Sequence, residues 1–227
     1  MNLPLKRRTF MGRAAGALGL LPFLTAGLNS RAAEPSVTRP MDKALEDLLT
    51  EMETKGKNML SVTRKEGEFL RLLVKAARAK NLLEIGTSQG YSATWLALGL
   101  KETGGKLTTI EILPERHELA KKNLARAGLD KAITFHQGDA HKIVPTLEGP
   151  FDFVLLDADK QGHLDYFKKL SAEKLTPGAL VLSHGAIELK DMLEEYMKIV
   201  SAHPQFETVI LSVTLQDGFA VSYKNRA

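Results

Sequence analysis

The stretch from Leu82 to Ser92 constrains the fold more than any other part of this chain. It reads LLEIGTSQGYS, an apolar run followed by a turn with a glycine at each end and then by a helix. A buried parallel strand is a short apolar run, and in open α/β sheets ligands bind beyond the carboxyl ends of such strands. Gly86 and Gly90 permit a close approach of backbone to ligand. The segment therefore predicts an open α/β sheet with a nucleotide-like cofactor at this turn.

The spacing of the two glycines argues against NAD. The turn has the form G-x-x-x-G and not G-x-G-x-x-G, so it lacks the middle glycine that admits a pyrophosphate to the helix N-terminus. An alternative interpretation is that the first glycine serves only the packing of the strand against the helix.

Two later turns indicate where the adenosine end of a cofactor would lie. A second predicted strand ends in Glu111, which follows Gly86 in the sequence. Dinucleotide folds place the acid that binds the ribose about 20 residues after the glycine turn, and the spacing here is similar. A third predicted strand, 133–136, leads into the polar turn QGDAH (137–141), a plausible wall for an adenine ring. Asp139 also suits the N-cap of the next helix, and both roles are compatible.

Local signals predict several helices. Thr63 and Glu66 have the spacing of a capping box for a helix that ends near residue 78. Pro114 suits the first turn of a helix that runs to residue 127 and is followed by Gly128. Further helices are expected over 91–100 and 140–147.

Composition predicts one globular domain behind a removable leader. The chain has 227 residues, 44% of them hydrophobic, which suffices for one core. The first 33 residues hold five basic residues and no acidic one, so without them the net charge of +4 becomes −1. The net positive charge of the chain therefore gives no evidence for a nucleic-acid partner. The absence of cysteine excludes disulfides and thiolate metal sites.

The leader resembles a twin-arginine export signal. Arg7 and Arg8 precede Phe10, an apolar run follows from Ala14 to residue 28, and small residues end the segment. The run is shorter than the ~20 apolar residues that span a bilayer, so no stable membrane span is expected after processing. A membrane anchor or a surface helix is the alternative. We predict a signal peptide over 1–33 and export to a periplasmic or extracytoplasmic location.

From about residue 58 to its end, the chain resembles the S-adenosylmethionine-dependent O-methyltransferases of the catechol and caffeoyl-CoA type. Five segments in family order carry the resemblance: LLEIGTSQGYSATWLA (82–97), LTTIEILPERHELAKKNLARAGL (107–129), GDA (138–140), FDFVLLDADK (151–160) and QDG (216–218). The resemblance implies an α/β, Rossmann-like class I methyltransferase fold, with a seven-stranded, mostly parallel sheet, helices on both faces and an antiparallel last strand. We expect a linker and N-terminal helix over 34–57 and the methyltransferase domain over 58–227.

The resemblance also implies the cofactor, S-adenosyl-L-methionine, and the residues that bind it. Glu84, Gly86, Tyr91 and Ser92 would line the methionine end, with backbone from Val62, and Glu111 would hold the ribose. The remaining cofactor-binding positions are Asp139, Ala140 and His141 at the adenine, and Asp157.

Catalytic groups are expected directly after the strand 151–156. In the resembled family the position of Asp157 binds a divalent metal, and that of Lys160 takes the proton from the acceptor hydroxyl. Solvated loop charge is the alternative interpretation of this cluster. The chain departs from the family at Ser183 and His184, where an Asp-Asn pair would supply the other two metal ligands.

Three hypotheses follow from this departure. In the first, Asp157 and His184 hold a softer metal ion, since imidazole suits Zn²⁺, Mn²⁺ or Fe²⁺ better than Mg²⁺. In the second, no metal binds and His184 is itself the base, with an unperturbed pKa near ~6.5. In the third, His184 only forms hydrogen bonds in a site that has lost activity.

The function expected is methyl transfer to the oxygen of a small phenolic or catechol-like acceptor. Leu60, His163 and Asp217 are candidates for the acceptor pocket, although a surface position is the more common one for a histidine such as His163. The alternative is an exported, non-catalytic protein that holds a ligand on a methyltransferase scaffold. A homodimer is expected from the same resemblance.

Overall fold

The computed structural model describes residues 41–56 and 59–226. The predicted signal sequence and the first part of the linker lie outside the described residues. The helices are α1 (Lys43–Lys55), α2 (Arg64–Ala76), α3 (Tyr91–Thr103), α4 (Pro114–Arg126), α5 (Ala140–Ile143), α6 (His163–Ser171) and α7 (Glu194–Ser201). The strands are β1 (Asn81–Ile85), β2 (Lys106–Glu111), β3 (Ile133–Gln137), β4 (Phe151–Leu156), β5 (Leu175–His184), β6 (Phe206–Ser212) and β7 (Gly218–Lys224). Among these helices none has the length and apolar character needed to cross a bilayer.

All seven strands form one sheet in the order β3-β2-β1-β4-β5-β7-β6. The strands β1 to β5 pair in parallel, and β7 runs antiparallel to both β5 and β6. The strand order reverses between β1 and β4, and in open sheets the ligand crevice lies at such a point, beyond the carboxyl ends of the strands. The predicted seven-stranded, mostly parallel sheet with an antiparallel last strand is confirmed.

The apolar residues of β1 are buried on both faces of the sheet. Leu82 and Leu83 are both fully buried, but Leu82 packs in a cluster with Trp95 of α3, and Leu83 packs in a second cluster with Phe167 of α6. Successive strand residues point to opposite faces, so an apolar run without alternation requires helices on both sides.

The N-terminal helix α1 packs on the sheet domain. Its residues Leu48, Leu49 and Met52 are buried in the same cluster as Leu82. The helix α1 and the sheet therefore belong to one compact unit of the chain.

Two helices, α3 and α5, end at residues other than the predicted ones because of the backbone geometry at their ends. The helix α3 continues to Thr103 instead of ending near residue 100, because the chain first leaves helical geometry at Gly104, which has a φ of 76°. The helix α5 ends at Ile143 and a short 3₁₀ turn follows, instead of one helix to residue 147. Pro145 lacks the N–H that an α-helix would need at that point.

Candidate functional site

A cavity of about 570 Å³ opens at the carboxyl ends of β1, β2, β3 and β4. Its walls are the turns that follow these strands, together with the segment before α2 and Tyr166 of α6. The cavity is therefore built where the fold rule for open α/β sheets places a ligand. The sequence-predicted residues that line it are Leu60, Gly86, Ser92, Glu111, Asp139, Ala140, His141 and Asp157.

Gly86 allows two strand ends to meet at the floor of this cavity. It has a φ of 101°, and a Cβ at this position would lie 2.3 Å from the carbonyl oxygen of Asp157. The backbone N–H of Gly86 donates to Ile110 of β2, and the N–H of Asp157 donates to Ile85 of β1. The glycine is thus required for contact between the turns after β1 and β4, a role that differs from both sequence interpretations.

Glu111 lies at the end of β2 with its carboxylate at the cavity wall. Its Oε2 accepts a hydrogen bond from the Ser88 N–H at 2.7 Å, and its Oε1 accepts one from the Leu113 N–H at 2.9 Å. Each carboxylate oxygen has a second lone pair. The side chain is therefore held in place and can still accept hydrogen bonds from a ligand.

The turn after β3 combines a helix cap with a flat wall. Asp139 accepts a hydrogen bond from the His141 N–H at 2.9 Å and caps α5, as predicted. The His141 ring stacks on Tyr166 with centroids 4.5 Å apart, and Tyr166 donates a hydrogen bond to Asp159. The wall therefore carries stacked rings beside the predicted adenine position.

Glu84 lies beneath the cavity instead of lining it. Its carboxylate is fully buried and accepts hydrogen bonds from Ser92 at 2.5 Å and Thr109 at 2.6 Å. Burial raises the pKa of Glu84 to about 7, although both hydrogen bonds oppose this shift. The residue therefore fixes Ser92 of α3 and the neighbouring strand from below.

Val62 and Tyr91 lie outside the main cavity. Both line a smaller cavity of about 220 Å³ between α1 and the start of α2. The Tyr91 hydroxyl donates a hydrogen bond to Glu53 of α1. A cofactor contact from either residue would require a ligand that reaches beyond the main cavity.

A chain of alternating charges begins beside the cavity at Asp157. Its Oδ1 accepts a hydrogen bond from Lys160 Nζ at 2.8 Å and lies 3.0 Å from His184 Nδ1. The other ring nitrogen, His184 Nε2, lies 3.2 Å from Glu66 Oε1 and 3.7 Å from Asp217 Oδ2. These side chains are only 2% to 14% exposed, so solvent screens their interactions weakly.

The ring of His184 is positively charged in this arrangement. Burial alone would lower its pKa, but the charge of Asp157 and hydrogen bonds with Asp157 and Glu66 outweigh burial and raise the pKa to about 10. Burial would raise the pKa of both Asp157 and Glu66, yet the contacts with His184 hold both below their usual values. An imidazolium has no free lone pair, so the hypothesis of His184 as the base requires the ring to lose a proton first.

His163 is buried under the site and does not line the cavity. It is 0% exposed, so the expected surface position is wrong. Its Nδ1 is hydrogen-bonded to Ser183 Oγ at 2.7 Å, while its Nε2 has no hydrogen-bond partner within the described residues. Burial lowers the pKa of His163 to about 3, so the ring is neutral.

The residues at the three metal-binding positions of the resembled family do not fit a shell for Mg²⁺. Asp157 Oδ1 already contacts Lys160 and His184, the Ser183 hydroxyl is hydrogen-bonded to His163, and the third position is an imidazole. A hard cation prefers oxygen ligands. These three positions therefore do not supply a Mg²⁺ site, and the chemistry of the site is assigned to its own side chains.

The fold and the cavity together define a class of protein. A glycine turn after β1, an acid at the end of β2 and a capping acid after β3 surround one cavity at the strand-order reversal. The last strand of the chain, β7, runs antiparallel to its two neighbours. This is the arrangement of a Rossmann-like, class I methyltransferase.

Comparison with known proteins gives the family. The family model described as "O-methyltransferase" matches residues 34–221. The chain is 36% identical to a catechol O-methyltransferase of Niastella koreensis over 158 residues, which covers 68% of this chain and 71% of the relative. It is 32% identical to caffeoyl-CoA O-methyltransferase 1 of Eucalyptus globulus over 179 residues, which covers 69% and 72%. The crystal structure of an O-methyltransferase from Bacillus cereus in complex with SAH superposes with a TM-score of 0.72 at 29% identity, covering 83% of this chain and 94% of that one.

The chain therefore belongs to the O-methyltransferase family. It is an enzyme that methylates oxygen, and its methyl donor is S-adenosylmethionine. Family membership favours this activity over the alternative of a non-catalytic binding protein.

Sequence reasoning missed three residues that shape the site. Glu66 was identified only as a member of a capping box, although its second oxygen contacts His184. Thr109 and Tyr166 carry no motif, and their contacts with Glu84 and with the His141 ring depend on how the strands and α6 pack. No local signal marks these contacts.

Proposed function

We propose that the acceptor is a small phenolic or catechol-like hydroxyl compound. The observation that carries this proposal is the pair of Lys160 and Asp157, which lies directly after β4 where Asp157 lines the cofactor cavity. Relatives named for catechol and for caffeoyl-CoA support the same class of acceptor.

The reaction is an in-line displacement at the sulfonium methyl group. The acceptor oxygen forms a bond to the methyl carbon while the carbon–sulfur bond breaks, and the sulfur keeps the electron pair. Glu111 and Asp139 hold the adenosine end, and Gly86 and Ser92 lie toward the methionine end. The protein contributes by holding the acceptor oxygen on the sulfur–methyl axis, an orientation that accounts for several kcal/mol of barrier lowering in such reactions.

The proton of the acceptor hydroxyl passes to Lys160 in this proposal. Because an ammonium cannot accept a proton, Nζ enters the step as the neutral amine, after its own proton has passed to solvent. Asp157, which lines the cavity, holds Nζ in place through their hydrogen bond. In this proposal His184 contributes positive charge near Asp157, and Lys160 is the base.

Turnover of a Lys160 variant tests this assignment. The full chain is incubated with S-adenosylmethionine and catechol, and the methylated product is measured by mass spectrometry. Lys160→Met should lower kcat by roughly 100-fold or more, since a positioned base contributes about 10²–10⁴-fold. Its affinity for S-adenosylmethionine should change by less than about twofold. Lys168→Met, an exposed change on α6, is the matched control.

Two results would count against the proposal. One is full turnover by Lys160→Met. The other is the absence of any methylated product from phenolic compounds while the wild-type chain still binds S-adenosylmethionine.

We further propose that the enzyme is exported by the twin-arginine route and acts as a homodimer. The paired residues Arg7 and Arg8 before an apolar run support export. The twin-arginine route carries folded proteins, so the domain can close around its cofactor in the cytosol before it is exported. Light scattering on the purified chain tests the homodimer, and a monomeric mass would contradict it.

A further inference from the structure

Two carboxylates converge on the far side of the His184 ring, away from Asp157. Glu66 comes from α2, His184 from the end of β5 and Asp217 from the residue before β7. One ligand atom from each residue lies within 4.8 Å of the other two. All three residues are largely buried, so this cluster differs from a group of solvated surface charges.

Each carboxylate is held by one oxygen and directs the other toward His184. Glu66 Oε2 accepts hydrogen bonds from the Thr63 N–H at 2.7 Å and the Thr63 hydroxyl at 2.8 Å, which leaves Oε1 facing the ring. Asp217 Oδ1 accepts hydrogen bonds from the backbone N–H groups of residues 187, 188 and 218, which leaves Oδ2 facing the ring. The two free oxygens are therefore fixed in position before any ligand arrives.

The imidazole is oriented in the same way. Asp157 Oδ1 lies 3.0 Å from His184 Nδ1 and so directs Nε2 at the two free oxygens. A carboxylate behind the second nitrogen of a histidine is the usual outer contact of a metal-bound imidazole, where it fixes the tautomer and the ring plane.

Two of the three separations between the ligand atoms are close to those around a small transition ion. Ligands that bind an ion at about 2.0–2.2 Å with near-octahedral to tetrahedral angles lie roughly 3.0–3.6 Å apart. In the structure, His184 Nε2 lies 3.2 Å from Glu66 Oε1 and 3.7 Å from Asp217 Oδ2. The ligand oxygens of Glu66 and Asp217 lie within 4.8 Å of each other, so an ion would draw these two carboxylates together.

We propose that Glu66, His184 and Asp217 form a binding site for one borderline divalent ion such as Zn²⁺, with Asp157 as the residue that orients the imidazole. One imidazole and two carboxylates favour such an ion over Mg²⁺, which prefers an all-oxygen shell. The ion takes the place of the Nε2 proton and carries a charge of +2 against two carboxylates. This ligand set differs from the shell implied by the family. His184 stands at one of the three family positions, and Glu66 and Asp217 take the place of the missing Asp at position 183 and of Asp157, which becomes the outer contact.

Calorimetric titration of the full chain with ZnCl₂ tests the site. The protein is first treated with a chelator, which is then removed, and neither S-adenosylmethionine nor acceptor is present. We expect one Zn²⁺ per chain, and MgCl₂ should bind at least about 100-fold more weakly. Because no substrate is involved, failure of this experiment leaves the proposed methyl transfer untouched, and failure of methyl transfer leaves this result standing.

Variants locate the ion. His184→Gln and Asp217→Asn should each weaken Zn²⁺ binding at least tenfold, and Asp157→Asn should weaken it by about 10- to 100-fold through loss of the outer contact. His141→Gln is the matched control, because His141 also lies between two carboxylates, Asp159 and Asp165. Circular dichroism shows which variants fold. If His184→Gln does not fold, the Zn²⁺ affinity of Asp217→Asn decides the question.

Three outcomes would overturn the proposal. The first is the absence of stoichiometric Zn²⁺ binding by the wild-type chain, which would leave His184 as an ion-pair partner only. The second is unchanged affinity in the folded variants at positions 184 and 217. The third is loss of binding in His141→Gln, which would place the ion at the other histidine.

Discussion

Replacement of Glu111 by alanine measures how much one carboxylate contributes to cofactor binding. Glu111 lines the cavity and is 6% exposed, and the ribose is predicted to lie against it. The ribose of S-adenosylmethionine has two hydroxyls, and each is expected to donate a hydrogen bond to this carboxylate. Glu111→Ala removes both acceptors and the negative charge.

The expected loss of affinity follows from the contacts that Glu111 already makes. A hydrogen bond to a charged group contributes about 1.5–3 kcal/mol. The oxygens of Glu111 also accept from the N–H groups of Ser88 and Leu113, so each ribose hydrogen bond falls at the lower end of this range or below. A total of about 2–3 kcal/mol corresponds to a Kd that is roughly 30- to 150-fold weaker.

Calorimetry on the full chain measures this loss directly. Glu115→Ala is the matched control, because it removes the same charge from an exposed position in the first turn of α4. Glu111→Ala leaves two backbone N–H groups without an acceptor, so its unfolding free energy should fall by about 1–2 kcal/mol, with the fold retained. Equal affinity of wild type and Glu111→Ala for S-adenosylmethionine would refute the ribose assignment.

Three further predictions concern the turn after β1, the buried histidine and the leader. Gly86→Ala should destabilise the protein more than Gly104→Ala in thermal unfolding, since both have positive φ but only the Cβ at 86 meets a backbone carbonyl, and equal losses would contradict this. The unfolding free energies of wild type and His184→Gln are measured with urea in the presence of a chelator. The wild type should be more stable, with the largest difference near pH 5–6.5 and a smaller one as the pH rises toward 10. A raised pKa stabilises the fold only while the ring is protonated. A difference that grows with pH would contradict the ion-pair arrangement. Arg7→Lys with Arg8→Lys should leave an unprocessed chain in the cytosol by fractionation and immunoblot, and normal processing would count against the twin-arginine route.

The sequence predicted those features that depend on residues close together in the chain. The apolar run before Gly86 identified a strand buried on both faces, and the order of five segments identified the sheet and the family. Thr63 and Glu66 identified a capping box, and Asp139 a helix N-cap, because a cap joins atoms only two or three residues apart. Such contacts are set by local backbone geometry and so can be read from spacing alone.

Tertiary structure alone decided the chemistry around His184. Its neighbours Asp157, Glu66 and Asp217 come from three other parts of the chain, and Glu66 is separated from it by 118 positions. The same packing buried His163, which the sequence placed more readily at the surface. The protonation of an imidazole and its capacity to bind a metal depend on burial and on the charges within a few ångströms, and these are fixed only when the strands and helices pack together.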